Sequence, residues 1–377
     1  MKAMILAAGK GTRVQPLTYE MPKPMIPVLG KPVMEYLIEQ LADHEFRDIM
    51  INVSHLPEPI ETYFGDGRRW GVNIGYSFEG HIEGGELFGE PLGSAGGIRR
   101  IQDFGRFFDD TFLVVCGDAI IDLDLTAAIR KHWQSGAKAS IVVKQVEKEK
   151  LPNYGVVVAD ENDVITSFQE KPTVEQAKST LVNTGIYIFE PEIIDLIPKD
   201  TVYDIGSELL PDLLDKGLPF GAIKLPFRWL DIGRLSDYWQ VNQQLMRGSI
   251  RGINMPGTEV MPQIWTGLNV NIDWDDVFIE GPVFIGSNSR IEAGCEIQGP
   301  TWISHGCYLQ GGAKIHRSML FEHTLMKTHG EVREAVVFGR YCVDKEGRAV
   351  KSEGKGLDWV GDARDIEIKS MKFANQI

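Results

Sequence analysis

A six-residue repeat towards the C-terminal end constrains the fold more than any other feature of the sequence. Seven aliphatic residues recur at this interval: Ile279, Ile285, Ile291, Ile297, Ile303, Leu309 and Ile315. A compact residue stands four positions after each of the first six: Val283, Ser289, Cys295, Thr301, Cys307 and Ala313. In a parallel β-helix, three such hexads make one triangular coil, with aliphatic residues inside and small residues at the corners. The repeat therefore predicts a short parallel β-helix.

A different pattern fills the chain up to about residue 245, where short apolar runs alternate with amphipathic stretches. This alternation is typical of an α/β fold. The apolar runs predict strands at 3–7, 48–53, 73–78, 111–116, 139–146, 155–159, 182–189 and 220–225. The amphipathic stretches predict helices at 33–41, around Thr62, at 95–101 and at 237–246, the last capped by the hydroxyl of Ser236.

Glycine and proline are concentrated between the two patterns, at Gly248, Gly252, Pro256, Gly257 and Pro262. Such a segment is typical of a linker, and a chain of 377 residues has room for two domains. We therefore predict an α/β domain at 1–246, a linker at 247–263, a β-helix domain at 264–345 and a polar tail at 346–377.

The charge balance argues against two classes of partner. Lys and Arg number 39 against 53 Asp and Glu, which gives a formal net charge of −14. A surface for nucleic acid or for an anionic membrane needs a basic excess, so we expect neither partner. Four cysteines without metal-binding spacing, and the lack of an apolar run of about 18 residues, favour a cytoplasmic protein.

The first predicted strand ends in a glycine-containing loop, with the sequence Gly-Lys-Gly at 9–11. Such a loop lets backbone N–H groups approach phosphate oxygens at the carboxyl end of a strand. The dinucleotide fingerprint is not met, because Val14 stands where its third glycine is required, and the P-loop pattern is not met either. Two nearby cations, Arg13 and Lys23, match what a triphosphate requires.

Two carboxylates follow apolar segments, where a metal ligand is well placed. Asp118 comes after the strand predicted at 111–116, and Asp231 follows Trp229 and Leu230. Each of them alone could equally cap a loop. Mg²⁺ is commonly held by one or two carboxylates together with phosphate oxygens, so the two residues are candidate ligands for that ion.

The segment from Gly9 to Thr18 has the run G-x-G-T-R-x-x-P-L-T, and P-K-P follows at 22–24. This run resembles the signature of the sugar-phosphate nucleotidyltransferases, which make nucleotide sugars. Further motifs occur in the family's order: P-L-G-S-A-G at 91–96, C-G-D at 116–118, Y-G-V at 154–156, E-K-P at 170–172, N-T-G at 183–185 and W-L-D-I-G at 229–233. The resemblance implies a Rossmann-like mixed-sheet nucleotidyltransferase domain followed by a left-handed parallel β-helix.

The resemblance also implies roles for individual residues. The nucleotide is expected at Leu6, Ala7, Ala8, Gly9, Gly11, Thr12, Arg13, Glu79, Gly93 and Ser94. The sugar phosphate is expected at Tyr154, Gly155, Glu170, Lys171, Asn183 and Thr184, with Glu170 on the sugar hydroxyls and Lys171 on the phosphate. The expected catalytic residues are Arg13, Lys23 and Asp118, and the expected Mg²⁺ ligands are Asp118 and Asp231.

The residue that reads the base stays open between two glutamates. Glu79 follows the strand predicted at 73–78 and takes the position that the family uses, but a glycine-rich insertion at 80–90 leaves Glu90 as a competitor. A carboxylate accepts hydrogen bonds from N1–H and N2–H₂ of guanine and also from N3–H of uracil. The glutamates therefore do not decide which base is bound.

Within the family, the insertion and the segments 183–189 and 338–344 most resemble the cyanobacterial type of UDP-glucose pyrophosphorylase, which is itself similar to mannose-1-phosphate guanylyltransferases. We expect UTP and glucose-1-phosphate to give UDP-glucose and pyrophosphate. The alternatives are GDP-mannose or dTDP-glucose synthesis, a non-catalytic regulatory subunit, and a hexapeptide acyltransferase with His305 or His316 as base. Homo-oligomerisation is expected, because stacked coils leave walls and an open end to be covered.

Overall fold

The computed structural model describes residues 1–250, 252–339, 341–350 and 358–366. The chain forms two compact units, the first made of Met1–Gly11, Met21–Ile26 and Pro32–Leu230. The second contains Thr12–Glu20, Pro27–Lys31 and the chain from Asp231 onward. The domain limits given above stay a prediction. Arg251 of the linker, Arg340 of the segment 338–344, and 351–357 and 367–377 of the tail lie outside the described residues.

A nine-stranded mixed sheet organises the first unit. The strands of the chain up to residue 231 are β1 Lys2–Leu6, β2 Pro27–Val28, β3 Lys31–Pro32, β4 Asp48–Val53, β5 Asn73–Phe78, β6 Gly80–Glu83, β7 Glu86–Gly89, β8 Phe112–Cys116, β9 Ala119–Ile121, β10 Ala139–Gln145, β11 Val156–Ala159, β12 Ile165–Gln169, β13 Leu181–Phe189, β14 Phe220–Lys224 and β15 Trp229–Asp231. The order β12-β11-β13-β8-β1-β4-β5 is extended by β10 on β13 and by β14 on β10. All eight predicted strands are confirmed in this sheet, with ends that differ by a residue at most.

Strand β1 lies in the middle of the sheet, parallel to both β4 and β8. After Lys2 its sequence is apolar, because both faces of the sheet are covered. Ala3 and Ile5 pack in the same core as Leu37 of helix α1 (Val33–Asp43), whereas Met4 packs with Ile98 of helix α3 (Gly93–Gly105). Alternate residues of one strand therefore belong to two cores, one on each side of the sheet.

The remaining helices are α2 Pro57–Phe64, α4 Leu125–Ser135, α5 Leu210–Asp215 and α6 Leu235–Met246. The predicted cap at Ser236 is wrong, because α6 already begins at Leu235 and its N-cap is Arg234, without a side-chain hydrogen bond. A side-chain cap does form at α4, where Asp124 Oδ1 accepts from Ala127 N at 2.8 Å. No helix among the residues described here is both long and apolar enough to span a membrane.

The second unit contains a β-helix, as the hexads predict. Its strands are β16 Thr258–Met261, β17 Ile264–Thr266, β18 Asn271–Ile272, β19 Phe278–Glu280, β20 Val283–Ile285, β21 Arg290–Ile291, β22 Glu296–Gln298, β23 Thr301–Ile303, β24 Tyr308–Leu309, β25 Lys314–His316, β26 Met319–Leu320, β27 Thr324–Met326, β28 Glu331–Arg333, β29 Ala335–Phe338, β30 Tyr341–Asp344 and β31 Val360–Asp362. Ile279 pairs with Ile297 and Ile297 with Ile315 along one parallel sheet. The aliphatic hexad residues therefore stack one coil above another. The left-handed sense stays a prediction.

Two antiparallel strands end the parallel sheets of the β-helix. Strand β30 pairs with β29, and β31 pairs with β27 through the register Thr324 to Asp362. Trp359, directly before β31, packs against the interior of the coils. Part of the predicted polar tail therefore covers a sheet edge, which reduces the exposure of unpaired backbone groups there.

Candidate active site

The carboxyl ends of the parallel strands bring the predicted nucleotide loop and the predicted metal ligand together. In the register of the sheet, Leu6 is the partner of both Asn52 on β4 and Cys116 on β8. Directly after these strands, Gly117 N donates to Leu6 O at 3.0 Å, and Ala7 N donates to Asn52 Oδ1 at 2.8 Å. This edge of an open α/β sheet is where nucleotides bind.

The loop after β1 changes from buried to exposed along its length. Ala7 and Ala8 are buried, whereas Gly9 is exposed, and a Cβ on it would meet no atom within 4 Å. Gly11 has φ 62°, in the left-handed region that glycine tolerates best. Thr12 and Arg13 follow in the second unit, where they are exposed and begin the short 3-10 helix Thr12–Val14.

Lys23 and Asp118 form an ion pair in the first unit. Lys23 begins the 3-10 helix Lys23–Met25, and Asp118 stands between β8 and β9. Their side chains are 12% and 23% exposed, so the pair is largely but not wholly removed from water. A cation and a carboxylate are thus in contact at the carboxyl edge of the sheet, where an anionic ligand could reach both of them.

Glu79 is fully buried, and both of its carboxylate oxygens accept hydrogen bonds from the protein. Asn52 Nδ2 donates to Oε1 at 2.7 Å, and Leu92 N donates to Oε2 at 2.8 Å. Burial raises the pKa of Glu79, while the hydrogen bonds from Asn52 and Leu92 and the charge of Arg100 act in the opposite direction. The other candidate, Glu90, is exposed and has Oε1 3.5 Å from His81 Nδ1.

The insertion that separates these two glutamates is a β-hairpin formed by β6 and β7. Its strands pair from Gly80 with Gly89 to Glu83 with Glu86, and Gly84 and Gly85 make the turn in left-handed conformations. The two-residue glycine turn matches the twist of the antiparallel strands. The hairpin therefore leaves the body of the unit at Glu79 and returns to it at Glu90.

Gly93 and Ser94 contact the segment that leads into the π-helical turn Ile205–Leu209. Ser94 Oγ donates to Asp204 Oδ2 at 2.7 Å and accepts from Ile205 N at 2.8 Å. Gly93 has φ 77°, and a Cβ on it would lie 2.5 Å from Tyr203 O. The turn before α3 therefore depends on glycine and on contact with a distant part of the chain.

Glu170, which is predicted to bind the sugar, has two glycines close to its carboxylate. A Cβ on Gly155 would lie 3.2 Å from Glu170 Oε2, and a Cβ on Gly206 would lie 3.3 Å from the same oxygen. Lys171 Nζ pairs with Glu170 Oε1 at 2.7 Å, and both side chains are exposed in part. Lys171 has φ 43°, so its backbone adopts a conformation that is uncommon for residues other than glycine.

The remaining predicted sugar-phosphate residues lie on or beside β13. Asn183 Nδ2 donates to Tyr187 Oη at 2.8 Å, and Asn183 N donates to Gly155 O at the same distance. Thr184 is buried, and its hydroxyl donates to Val142 O at 2.7 Å. The ring of Tyr154 packs against Trp229, with 5.1 Å between the centroids.

Asp231 belongs to the second unit, where it is partly buried. A Cβ on Gly233 would lie 3.1 Å from Asp231 Oδ2 and 3.2 Å from Asp237 Oδ2, so glycine leaves space between the two carboxylates. Within the described part of the chain, no group of three or more His, Cys, Asp or Glu side chains is arranged to hold a metal ion. A site built from fewer protein carboxylates would need ligand oxygens to complete it, as is usual for Mg²⁺.

Two residues of this region, Asn52 and Asp204, were not found by sequence reasoning. Each contacts a predicted site residue through a side-chain hydrogen bond: Asn52 bonds to Ala7 and Glu79, and Asp204 bonds to Ser94. Asn52 is the last residue but one of β4, and Asp204 precedes a helical turn, a position where polar residues are common. The one available signal for Asn52 was a polar residue near the carboxyl end of a mostly apolar strand.

The chain is similar to a family model and to several known proteins. The model of the nucleotidyl transferase family matches residues 2–248. The UTP–glucose-1-phosphate uridylyltransferase of Synechocystis sp. is 54% identical over 370 residues, 98% of this chain and 95% of that protein. The mannose-1-phosphate guanylyltransferase of Mycobacterium tuberculosis is 29% identical over 84% of this chain and 83% of that protein.

Among solved structures, HddC from Yersinia pseudotuberculosis complexed with GMP-PN matches with a TM-score of 0.53 and 25% identity. The match covers 65% of this chain and 99% of that one. The residues matched by the family model include all nine strands of the sheet and the loop after β1. With this match and a relative of 54% identity, the chain belongs to the nucleotidyl transferase family.

Proposed function

We propose that this protein is a UTP–glucose-1-phosphate uridylyltransferase, which makes UDP-glucose and pyrophosphate. The observation that carries the proposal is the 54% identity to the Synechocystis enzyme of that name over 98% of the chain. Identity at this level over both domains is much higher than the 29% shared with the mannose-1-phosphate guanylyltransferase of Mycobacterium tuberculosis. The substrates are therefore a nucleoside triphosphate and a sugar-1-phosphate, with UTP and glucose-1-phosphate as the preferred pair.

The reaction needs no nucleophile from the protein. An oxygen of the glucose-1-phosphate attacks the α-phosphorus of UTP in line with the leaving group, and a new P–O bond forms. The bond between the α-phosphorus and the bridging oxygen to the β-phosphate breaks, and its electrons leave with pyrophosphate. Such a reaction is accelerated by positioning of the reactants and by neutralisation of charge.

The chain supplies cations for both tasks. Lys23, next to Asp118 in the first unit, holds the α-phosphate side of the nucleotide. Arg13, exposed at the start of the Thr12–Val14 helix, stabilises the charge that grows on pyrophosphate. Lys171 binds the phosphate of the sugar substrate, and Glu170 accepts hydrogen bonds from its hydroxyls. These few cations are enough for a protein of net charge −14 to bind two polyanionic substrates.

A divalent cation fits the donor chemistry of this region, because Asp118 is a partly exposed carboxylate at a strand end. We propose Mg²⁺ as the ion and Asp118 as a protein ligand, and Asp231, expected from the sequence as a second ligand, stays a prediction. When bound, Mg²⁺ would neutralise phosphate charge and fix the orientation of phosphate oxygens. The contribution of the chain itself is to keep Lys23 beside Asp118, so that cation and carboxylate act on the same part of the substrate.

The β-helix of the second unit is proposed to join copies of the chain into a homo-oligomer. Its walls are built from short parallel strands with exposed residues on either side of the hexad positions, for example Phe278 and Glu280 around the partly buried Ile279. Sedimentation of the full chain tests this proposal, since a monomer at all concentrations would contradict it.

The test of the proposed activity is a matrix of ATP, CTP, GTP and UTP against glucose-, mannose- and N-acetylglucosamine-1-phosphate, each with Mg²⁺. Release of pyrophosphate is measured for each pair. We expect the highest kcat/KM for UTP with glucose-1-phosphate and no release when either substrate is omitted. The highest value for GTP with mannose-1-phosphate would contradict the substrate assignment and retain the reaction class. No release from any pair would contradict both.

A further inference from the structure

We propose that Glu79 and Asn52 form a pair of positioning residues that hold the nucleotide-binding loop in place, and that Glu79 does not touch the base. The inference rests on the proposed function, because it concerns how that site binds its nucleotide. It revises the expectation that Glu79 reads the base, and it assigns a role to Asn52.

A continuous chain of hydrogen bonds links two nucleotide-binding segments through these two side chains. Ala7 N donates to Asn52 Oδ1 at 2.8 Å, and Asn52 Nδ2 donates to Glu79 Oε1 at 2.7 Å. Glu79 Oε2 then accepts from Leu92 N at 2.8 Å. Ala7 belongs to the loop after β1, and Leu92 directly precedes Gly93 and Ser94. The two side chains therefore set the spacing between these segments.

Burial leaves no oxygen of Glu79 for a ligand. The residue is 0% exposed and Asn52 is 2% exposed. A Cβ on Gly97 of α3 would overlap Oε1 of Glu79 and would lie 3.0 Å from Nδ2 of Asn52. The glycine is thus required by the close approach of the helix to the pair. A base could reach the carboxylate only if the residues that cover it moved away.

The direction of each hydrogen bond is fixed by chemistry. The backbone N–H groups of Ala7 and Leu92 stand at the two ends of this series of hydrogen bonds. The side-chain atom that each of them meets must therefore be an acceptor. The carboxylate of Glu79 accepts at both oxygens, and the amide of Asn52 accepts from Ala7 and donates to Glu79. Replacing either residue by its amide or acid counterpart places two donors, or two acceptors, opposite each other. A buried mismatch of that kind is costly.

Exchanging both residues restores the complementarity. In Asn52→Asp/Glu79→Gln, the new carboxylate at position 52 accepts from Ala7 N with one oxygen and from the introduced amide with the other. The amide oxygen at position 79 accepts from Leu92 N as before. The number of carboxylates is unchanged, so the double variant differs from the wild type mainly in the direction of the central hydrogen bond.

The experiment compares the two single variants, the double variant and the control Glu86→Gln, which changes an exposed glutamate of the same hairpin. Melting temperature and KM for UTP and for glucose-1-phosphate are measured for each. We expect each single variant to raise KM for UTP about tenfold or more and to leave KM for glucose-1-phosphate within about twofold. The double variant should recover KM for UTP to within about threefold of the wild type, and the preference for UTP over GTP should not change in any variant.

A residue that reads the base would behave differently. If Glu79→Gln changed the ratio of kcat/KM between UTP and GTP by about tenfold or more, and the double variant did not reverse the change, the positioning role would be overturned. If a single variant did not fold, folding of the double variant would support the proposal. If the double variant also did not fold, the proposal would be overturned. The melting temperatures need no substrate, so this part of the test stands even if UTP and glucose-1-phosphate are not turned over.

Discussion

Lys23 and Asp118 form an ion pair across 95 residues of sequence, at the point where the predicted catalytic cation and the predicted metal ligand are brought together. Their positions in the sequence alone do not predict that these two residues are in contact. The sheet explains the contact, because Asp118 follows β8 and β8 lies beside β1, whose loop leads towards Lys23. Because the pair is largely removed from water, we expect it to contribute to stability as well as to catalysis.

Replacement of either partner of the pair tests both contributions. We expect Asp118→Asn and Lys23→Met each to lower kcat by about 100-fold or more with all substrates saturating, because each removes a charge that acts on the reacting phosphates. Because the pair is largely removed from water, breaking it should also lower the melting temperature by several degrees, as a loss of about 3 kcal/mol would. Lys148→Met, at an exposed cation, is the control. Turnover near that of the control in either variant would disprove the catalytic assignments.

Gly185 is predicted to tolerate no side chain. Its φ is 73°, and a Cβ would lie 2.6 Å from Sγ of Cys116. We expect Gly185→Ala to lower the free energy of unfolding by about 2–4 kcal/mol, from the strained backbone and from overpacking together. Gly136→Ala is the matched control, because Gly136 has φ 66° with open space around it, so it should cost only about 1 kcal/mol. Urea unfolding measures the free energy of unfolding of both variants. Equal losses would show that the contact with Cys116 adds nothing to the cost at position 185.

His132 should make stability depend on pH. The side chain is buried, with Nδ1 2.8 Å from Ser140 Oγ and Nε2 3.1 Å from Glu190 Oε1, and burial lowers its pKa. The unfolded chain then binds the proton more readily than the folded one. The stabilisation is complete above about pH 6.5, the ordinary pKa, and is lost as the pH falls below it, by at most about 1.4 kcal/mol per pH unit.

Urea unfolding of the wild type and of His132→Gln at pH 7.5 and 5.5 checks this expectation. The wild type should lose more stability than the variant over this interval, because the variant has no proton to take up at position 132. Equal losses in the two proteins would show that the imidazole does not carry the dependence. His305→Gln, at a half-exposed histidine, serves as the control for the loss of an imidazole as such.

The interior of the β-helix should respond to loss of a hexad residue. Ile297 is fully buried between Ile279 and Ile315 in neighbouring coils. We expect Ile297→Ala to cost about 2–5 kcal/mol in the free energy of unfolding, because it leaves a cavity in a stacked row. Leu268→Ala, at an aliphatic residue of the same unit that is 76% exposed, should change it by about 0.5 kcal/mol or less. A similar cost for both variants would contradict the stacked interior.

The features predictable from the sequence are those that local pattern determines. Hexad residues repeat because each coil repeats, and the buried strands of the sheet are apolar because both of their faces are covered. The helix start at Leu235 was placed too late, because Ser236 is a good capping residue by composition but already lies in the first turn. A cap depends on where the chain enters the helix, which composition does not determine.

The arrangement of the site was less predictable. Residues such as Lys23, Asp118 and Glu170 stand in motifs and could be found, but the contacts of Asn52 with Ala7 and Glu79 join three separate segments. The burial of Glu79 also depends on the approach of Gly97 from α3, and no local pattern encodes that distance. Sequence reasoning could therefore identify the type of chemistry without deciding which glutamate faces the base.

A competition experiment tests the central claim most directly. The enzyme receives UTP and GTP at equal concentrations together with glucose- and mannose-1-phosphate at equal concentrations, and the nucleotide sugars formed early in the reaction are quantified by mass spectrometry. The account predicts that UDP-glucose exceeds GDP-mannose at least about tenfold, a difference of about 1.4 kcal/mol in activation free energy. GDP-mannose as the main product would contradict it.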